Sequence, residues 1–480
     1  MPSYTFDNFP ASGIQFLQPN KGFMPLRYRV PAIFIACVFI IAYSLVNLSF
    51  STFVSFIFFG LIGVGISAIY GRLAIKLFTL IYAVSSIASV IFYVIFLIQY
   101  KIPYGGGGSD SLAYEQLAEL LGNSNWHYNS EEIGMMIDLP YHNSKGYIYL
   151  INLLIRFGDI FSGFDTMIPR LLNCSILGMS SVVVYSICNK ISLTTRQSLN
   201  SGLITGFFPI MIYVGVQPLR DIPITFMLLI AVSASISIIK TQIALKRLLC
   251  TVLFVPLFFI IMEFRLFNAI NIGLVLLVSW VVYLFAVKKV SNFHLVLFIA
   301  GFAFIYTSLS FIDIPLAINL VSKLDSSSTD LAEGIDRSQD GGFSLILFNL
   351  PAPVKFFASI AYSFVTPLPI LYTNNFVDWN FLSLGTIYQF LNIPFVLLGI
   401  KHAFRSRVML PLLIMLLISY ISYVFGAFTF RHITYIVPFA AIYGTIGFEK
   451  YKQRRHFIWS IAGGLLAFLL FTYYAVKFIF

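Results

Sequence analysis

The chain is expected to fold as an all-α polytopic membrane protein, a bundle of about thirteen transmembrane helices with interfacial helices in two long loops. Three observations predict it. Hydrophobic residues make up 59% of the 480 and charged residues only 10%, and the mean hydropathy of +0.89 lies outside the range of a soluble globule. The apolar runs are each about 17–25 residues long, as a helix crossing roughly 30 Å of hydrocarbon requires, whereas a β-barrel would show short alternating segments. The basic residues fall in short clusters between those runs, the pattern of cytoplasmic loops, so the net charge of +11 calls for no nucleic-acid partner.

Hydropathy places the first spans near 30–49, 51–70 and 77–99. Lys21, Arg27 and Arg29 precede the first, and Arg72 and Lys76 mark the turn before the third, which puts the amino terminus and that turn inside. No small-residue cleavage pattern follows the first run, so it is expected to remain as an anchor. Three crossings carry the chain to the opposite face, periplasmic for a bacterial inner membrane. Later spans fall near 170–189, 198–216, 222–240, 248–263, 266–287, 292–311, 384–400, 408–426, 431–448 and 457–477. Lys190 with Arg196, Lys240 with Lys246 and Arg247, Lys288 with Lys289, Lys401 with Arg405 and Arg407, and Lys450 with Lys452, Arg454 and Arg455 then all lie inside. The condition is that 144–160, short and charged at both ends, lies in the interface without crossing. The carboxyl terminus is expected outside.

The chain divides into a three-span unit (1–99), a first periplasmic loop (100–169), a central bundle (170–311), a second long loop (312–383) and a four-span unit (384–480). Loops this long are usually functional or disordered. In the second, residues 346–372 are apolar and punctuated by Pro351, Pro353, Pro367 and Pro369, which suits a re-entrant or interfacial segment. Cys37, Cys174, Cys188 and Cys250 lie in apolar runs without CxxC spacing and read as small buried side chains. No repeat of fixed period is present.

Asp110 follows the run Gly105-Gly106-Gly107-Gly108-Ser109 at the exit from the third span. Asp110, Tyr114, Ala118, Gly122 and Trp126 recur every four residues, so Asp110 and Tyr114 share one helical face, and Leu117, Leu120 and Leu121 offer an apolar side to the bilayer. Asp110 reads either as a helix N-cap or as a base at the mouth of the membrane domain. The predicted topology sends further charge to the same face: Arg170, Arg220 with Asp221, Glu263 with Arg265, Lys355, and Arg431 with His432. Ionisable residues at span ends commonly just reach for the headgroups. Their convergence on the face that bears both long loops marks it as the working surface.

The run from Asp110 to Trp126, followed by Pro140-Tyr141 and by Tyr147-x-x-Leu150-x-x-Leu153 to Phe157-Gly158, resembles the first external loop of GT-C superfamily membrane glycosyltransferases, of the protein O-mannosyltransferase and lipid A aminoarabinose transferase type. Similarity continues in Arg170-Leu171-Leu172-Asn173 through Tyr185, in Pro209 to Asp221 and in Arg431 to Pro438, about two thirds of the chain as degenerate patterns. The resemblance implies a GT-C-like bundle, an outward active site, a sugar donor carried on a polyprenyl phosphate, and a catalytic acidic residue matched here by Asp110. Asp221 matches a second acidic position. Three spans precede the acidic loop where that family usually has one.

The chemistry implied needs few parts. A carboxylate must take the proton of the attacking acceptor, a role for Asp110, and cations must meet the charge developing on the leaving lipid phosphate. Arg265, Arg220, Arg431 and Lys355 are the candidates in falling order, with Tyr114, His432 and Arg170 completing the donor site. Glu263 is the alternative, purely structural partner of Arg265, and His432 reads equally as an interfacial histidine. No Ser/His/Asp or Cys/His arrangement and no P-loop lysine is present, so neither a covalent nucleophile nor a nucleotide-sugar donor is expected. Asp110 and Asp221 either share a divalent metal or act without one. Partners are then membrane lipids, the lipid-linked sugar donor, and a glycan or lipid acceptor. Two rival readings stay open: a glycan polymerase or ligase of the O-antigen or capsule type using a lipid-diphosphate oligosaccharide, with Arg337 and Lys323 at work, and a lipid-linked sugar flippase or transporter, whose inverted repeats are not found.

Overall fold

The computed structural model describes residues 24–105, 109–123, 144–286, 354, 360, 362–363, 377–404, 406–425 and 430–479. All regular structure among them is helical, with no strand. Nine of these helices are long and apolar enough to cross a membrane: the protein is a multi-pass, all-α membrane protein.

Three helices, α1 (Arg29–Val46), α2 (Phe50–Ala68) and α3 (Arg72–Tyr100), form the amino-terminal unit. Two shorter ones, α4 (Ser109–Asn123) and α5 (Lys145–Asp159), pack on each other. The central post is α6 (Met167–Lys190), buried along almost its whole length between α2, α3, α7 (Thr195–Phe207) and α9 (Asp221–Lys240). Beyond it stand α10 (Ala244–Val252), α11 (Phe254–Phe264) and α12 (Leu266–Ala286). A second group comprises α13 (Val377–Ala403), α14 (Leu410–Phe425), a 3-10 turn at Phe430–Tyr435, α15 (Val437–Lys450) and α16 (Arg455–Ile479).

Packing relies on small residues that let rings and backbones interlock, as expected where lipid supplies no hydrophobic drive between helices. The Phe78 ring fills the gap left by Gly63 and Gly178; a Cβ on Gly63 would lie 1.9 Å from it. Tyr82 donates to Phe56 O at 2.8 Å and Ser175 to Phe59 O at 3.0 Å, which ties α2 to α3 and α6. Helices α13 and α15 touch backbone to backbone, where a Cβ on Gly399 would fall 1.9 Å from Tyr443 O and one on Gly447 2.0 Å from Phe395 O.

Several expectations are corrected. The run 198–216 is not one straight helix: α7 bends by 52° into α8 (Pro209–Gly215), because Pro209 has no N–H to continue the ladder and starts a new helix at its first position. The second long loop does not extend to 383, since α13 already begins at Val377. The 144–160 segment, by contrast, forms α5, whose 15 residues are too few to cross, in keeping with the expectation that it does not span. The proposed span 292–311 and nearly all of 346–372 lie outside the described residues, and α14 and α15 are short, at 16 and 14 residues, so thirteen is a count that nine long helices and one bent pair leave open.

The two ends of the bundle differ in charge. Tyr43 reaches Asp165 and Tyr100 reaches Asp378 at one end, which also carries Asp110, Asp221, Arg265 and Arg431. At the other, Lys190 is held by Ser233 and Ser237, Lys240 donates to Lys190 O, Arg247 lies 3.8 Å over the Tyr283 ring, and Lys450 meets His402 at 2.7 Å. The glycine contacts give a test: Gly399→Ala and Gly447→Ala should each lower stability by at least about 1–3 kcal/mol through overpacking, read as a fall in the detergent unfolding midpoint. Gly464→Ala, with nothing within 4 Å, should leave it unchanged.

Candidate functional site

Four segments meet at the acidic end. After α3 the chain turns through Lys101 in a left-handed conformation, φ 60°, and passes Gly105. Only glycine fits there, since a Cβ would come within 2.8 Å of Tyr213 Oη and 2.9 Å of Gln217 Oε1. Helix α4 then begins, with Asp110 in its first turn. It is seated on α5 by Asn152, which donates to Ala118 O at 2.7 Å, and by an edge contact of Tyr114 on Tyr147 at 5.3 Å. Leu121 belongs to this packed side and is buried, against the expectation that it faces lipid, while Leu120 is exposed.

The second segment is the turn between α8 and α9. Buried Asn173 on α6 donates to Gln217 O at 2.8 Å, which also accepts from Leu219 N, and to Leu219 O at 2.9 Å, pinning the turn that follows α8. That fixes the backbone carrying Arg220 and Asp221. The third is the end of α11, where Arg265 takes an extended conformation, φ −169°, between two helices. The fourth is the 3-10 turn Phe430–Tyr435, with Arg431, His432 and Tyr435.

These segments interlock through charge. Arg431 Nη1 lies 2.5 Å from Asp110 Oδ2, both side chains being about a quarter to a third exposed. Tyr435 donates to Asp221 Oδ1 at 2.5 Å and receives Arg265 Nη1 at 3.2 Å, with Arg265 itself 3.9 Å from the same carboxylate oxygen. Arg220 donates to Ser144 Oγ and, at 2.9 Å, to Phe264 O; Ser144 in turn sits 3.3 Å from Tyr114 Oη. The partner of Arg265 is therefore Asp221 and Tyr435, and Glu263, exposed on α11, is not.

Three guanidiniums against two carboxylates leave a surplus positive charge on partly exposed side chains, which suits an anion. The electrostatics agree. Burial alone would push the Asp110 carboxyl up, but Arg431, by charge and hydrogen bond, and then Arg220 and Arg265 hold it below the usual carboxylate range. Burial and then the same three arginines drive His432 well below the ordinary imidazole value, so it stays neutral. Its ring stacks on Tyr435.

Of the residues expected at the site, Asp110, Tyr114, Arg220, Asp221, Arg265, Arg431 and His432 thus come together. Arg170 stands apart: it is fully buried, donates to Pro103 O and lies between the rings of Tyr93 and Tyr104, 5.5 and 5.7 Å from their centroids. Lys355 lies outside the described residues. Two acidic residues near the site were not foreseen. Asp378, fully buried, accepts from Tyr100 at 2.8 Å and Tyr213 at 3.3 Å, while its Oδ1 has no partner. Glu115, also buried, accepts from Tyr104 at 2.6 Å and Thr166 at 2.8 Å; burial raises its carboxyl pKa, against the pull of Tyr104 and Arg170. Its sequence signal was a lone acid five residues after Asp110, indistinguishable from a solvated helix face.

Among the described residues no three His, Cys, Asp or Glu side chains gather to hold a metal ion. Asp110 and Asp221 each already face a guanidinium, so a divalent cation would enter against resident positive charge, and no step is derived through one. No protein-family model matches the chain, and no curated protein matches its sequence.

Two outcomes follow. Arg431→Gln should destabilise the protein by an amount between the about 1 kcal/mol of an exposed ion pair and the about 3–5 kcal/mol of a buried one, and adding Asp110→Asn should restore part of it, read as non-additive unfolding midpoints. The Asp110 carboxyl is depressed on folding, so this contribution is complete above the unfolded carboxylate range and is lost only as pH falls through the lower folded value. Burial and the three arginines hold His432 neutral near pH 7, so His432→Gln should leave the shape of any pH profile around neutrality unchanged.

Proposed function

We propose that the protein is a membrane glycosyltransferase that moves a sugar from a polyprenyl-phosphate donor to a glycan or lipid acceptor at the outer face of a bacterial cytoplasmic membrane, with its amino terminus and basic clusters inside. The observation that carries this reading is the pairing of two carboxylates with three arginines, one of them on a turn whose Ile433 lines an apolar groove. The groove, about 500 Å³, runs between α7, α13, α14, α15 and α16. Ile433, Ile436 and Val437 line its upper part, on or next to the turn that holds Arg431, and Phe448 and Trp459 its far part. An amphiphile with an anionic head and a long hydrocarbon tail matches both ends at once.

In this reading the donor's phosphodiester lies against Arg265, Arg220 and Arg431, whose forks suit phosphate oxygens. The acceptor hydroxyl attacks the anomeric carbon and its proton passes to Asp110. The bond from that carbon to the phosphate oxygen breaks, its electron pair stays on the oxygen, and the arginines stabilise the charge that develops there. One displacement inverts the anomeric centre. Donor and base are coupled through Arg431: a phosphate that takes up this guanidinium releases Asp110 from its ion pair and restores its basicity. Asp221, held by Tyr435 and Arg265, sets the position of Arg265.

The test is transfer by the purified protein in liposomes with a polyprenyl-phosphate-linked sugar. Asp110→Asn should lower turnover at least about 100-fold, the scale of losing a general base, with the chain still monodisperse. Near-normal turnover would remove Asp110 from the role of base. Transfer that needs a lipid-diphosphate oligosaccharide would favour a polymerase or ligase instead.

A further inference from the structure

Two buried charged residues, Arg170 and Glu115, have their hydrogen bonds among the described residues away from the arginine cluster, and burying either is costly unless those bonds are worth keeping. Their contacts lie on both sides of the glycine run that precedes Asp110. On the upstream side, Arg170 donates to Pro103 O and its guanidinium packs against the Tyr104 ring. On the downstream side, Glu115 in the second turn of α4 receives Tyr104 Oη on one carboxylate oxygen and Thr166 Oγ1 on the other. Arg170 and Thr166 belong to the first turn of α6 and the residue before it. Both ends of the run are therefore fastened to the amino-terminal end of the most buried helix in the molecule.

The helical geometry makes this relevant to Asp110. Five residues at 100° each put Glu115 about 140° around α4 from Asp110, so Asp110 faces Arg431 while Glu115 faces α6. Of the contacts that hold α4, Glu115 lies closer in sequence to Asp110 than the Asn152 bond to Ala118 O does.

We infer that Glu115, Tyr104 and Arg170 form a brace that sets the distance of Asp110 from Arg431: positioning residues that do not themselves touch substrate. Glu115 supplies both acceptor oxygens. Tyr104 links it to the segment that follows α3, and Arg170 clamps that segment to α6 at Pro103 and Tyr104. Among the described residues Arg170 Nε and Nη1 have no hydrogen-bond partner, so its fixed contacts are the Pro103 carbonyl and the flanking tyrosine rings.

The experiment has two arms. In the first, positions 110 and 431 are made cysteine in a chain whose four native cysteines are alanine, and the rate of cross-linking by a short bifunctional thiol reagent is followed in detergent. Glu115→Ala should slow it at least tenfold, Tyr104→Phe severalfold, and Glu115→Gln, which keeps an acceptor and the length of the side chain, should stay within twofold. Rates unchanged in both Glu115→Ala and Tyr104→Phe would overturn the brace, and Tyr104→Phe carries the arm alone if Glu115→Ala does not fold. This arm is independent of the function proposed above, so its failure is distinguishable from failure of that reading.

The second arm rests on that reading. With the lipid-linked sugar that supports transfer by the unaltered chain, Glu115→Ala and Arg170→Lys should lower kcat at least tenfold while KM for the donor moves less than twofold, and Glu115→Gln should recover most of kcat. A rise in donor KM with kcat held would place these residues in donor binding and overturn the assignment.

Discussion

The working end of this protein depends on how three guanidiniums are kept together at the edge of a membrane bundle. Two like charges about 4 Å apart repel by roughly 4 kcal/mol at the effective dielectric of a protein surface. Arg220, Arg265 and Arg431 act on the same neighbouring groups, Asp110 and His432 among them. Asp110 answers Arg431, Asp221 and the Tyr435 hydroxyl answer Arg265, and the Phe264 carbonyl with Ser144 answers Arg220. Three arginines thus stand against two carboxylates, and the proposed binding of an anion rests on that surplus.

That arrangement is built from interruptions in helices. The bend at Pro209 starts the short helix α8, which ends at Gly215, and Asn173 captures the Gln217 and Leu219 carbonyls in the turn beyond it, so Arg220 and Asp221 emerge in a fixed direction. The break between α11 and α12 turns Arg265 away from Glu263 and toward Asp221. The 3-10 turn before α15 presents Arg431, His432 and Tyr435 within six residues. Irregular backbone at membrane depth is tolerated where it lines a cavity or is buried in protein, and the turn after α8, the break at Arg265 and the 3-10 turn carry the residues of the cluster.

Much of this was legible in the sequence, for a physical reason. An arginine or aspartate at the end of an apolar run is expensive enough to be informative, and the alternation of basic clusters assigns each run end to a face. Asp110, Arg220, Asp221, Arg265 and Arg431 were placed together on that ground alone. Partner choice was not legible: Glu263 is two residues from Arg265 and was the natural partner, but an extended residue between helices points its side chain elsewhere. Arg170 looked like the other arginines because nothing in sequence distinguishes a span that faces lipid from one enclosed by its neighbours. Asp378 was assigned to a loop because hydropathy rises only several residues after it, and Glu115 was hidden among the polar positions of an amphipathic helix.

The proposed binding of a lipid phosphate by the cluster is read from affinity with fewer intervening steps than from turnover. A polyprenyl monophosphate and the corresponding polyprenol would be titrated into the purified protein in nanodiscs, alongside Arg265→Gln. The account predicts that the phosphate binds at least about tenfold, or 1.4 kcal/mol, more tightly than the alcohol, and that Arg265→Gln removes most of the difference. Equal affinity for the two lipids, or a preference that survives Arg265→Gln unchanged, would contradict it.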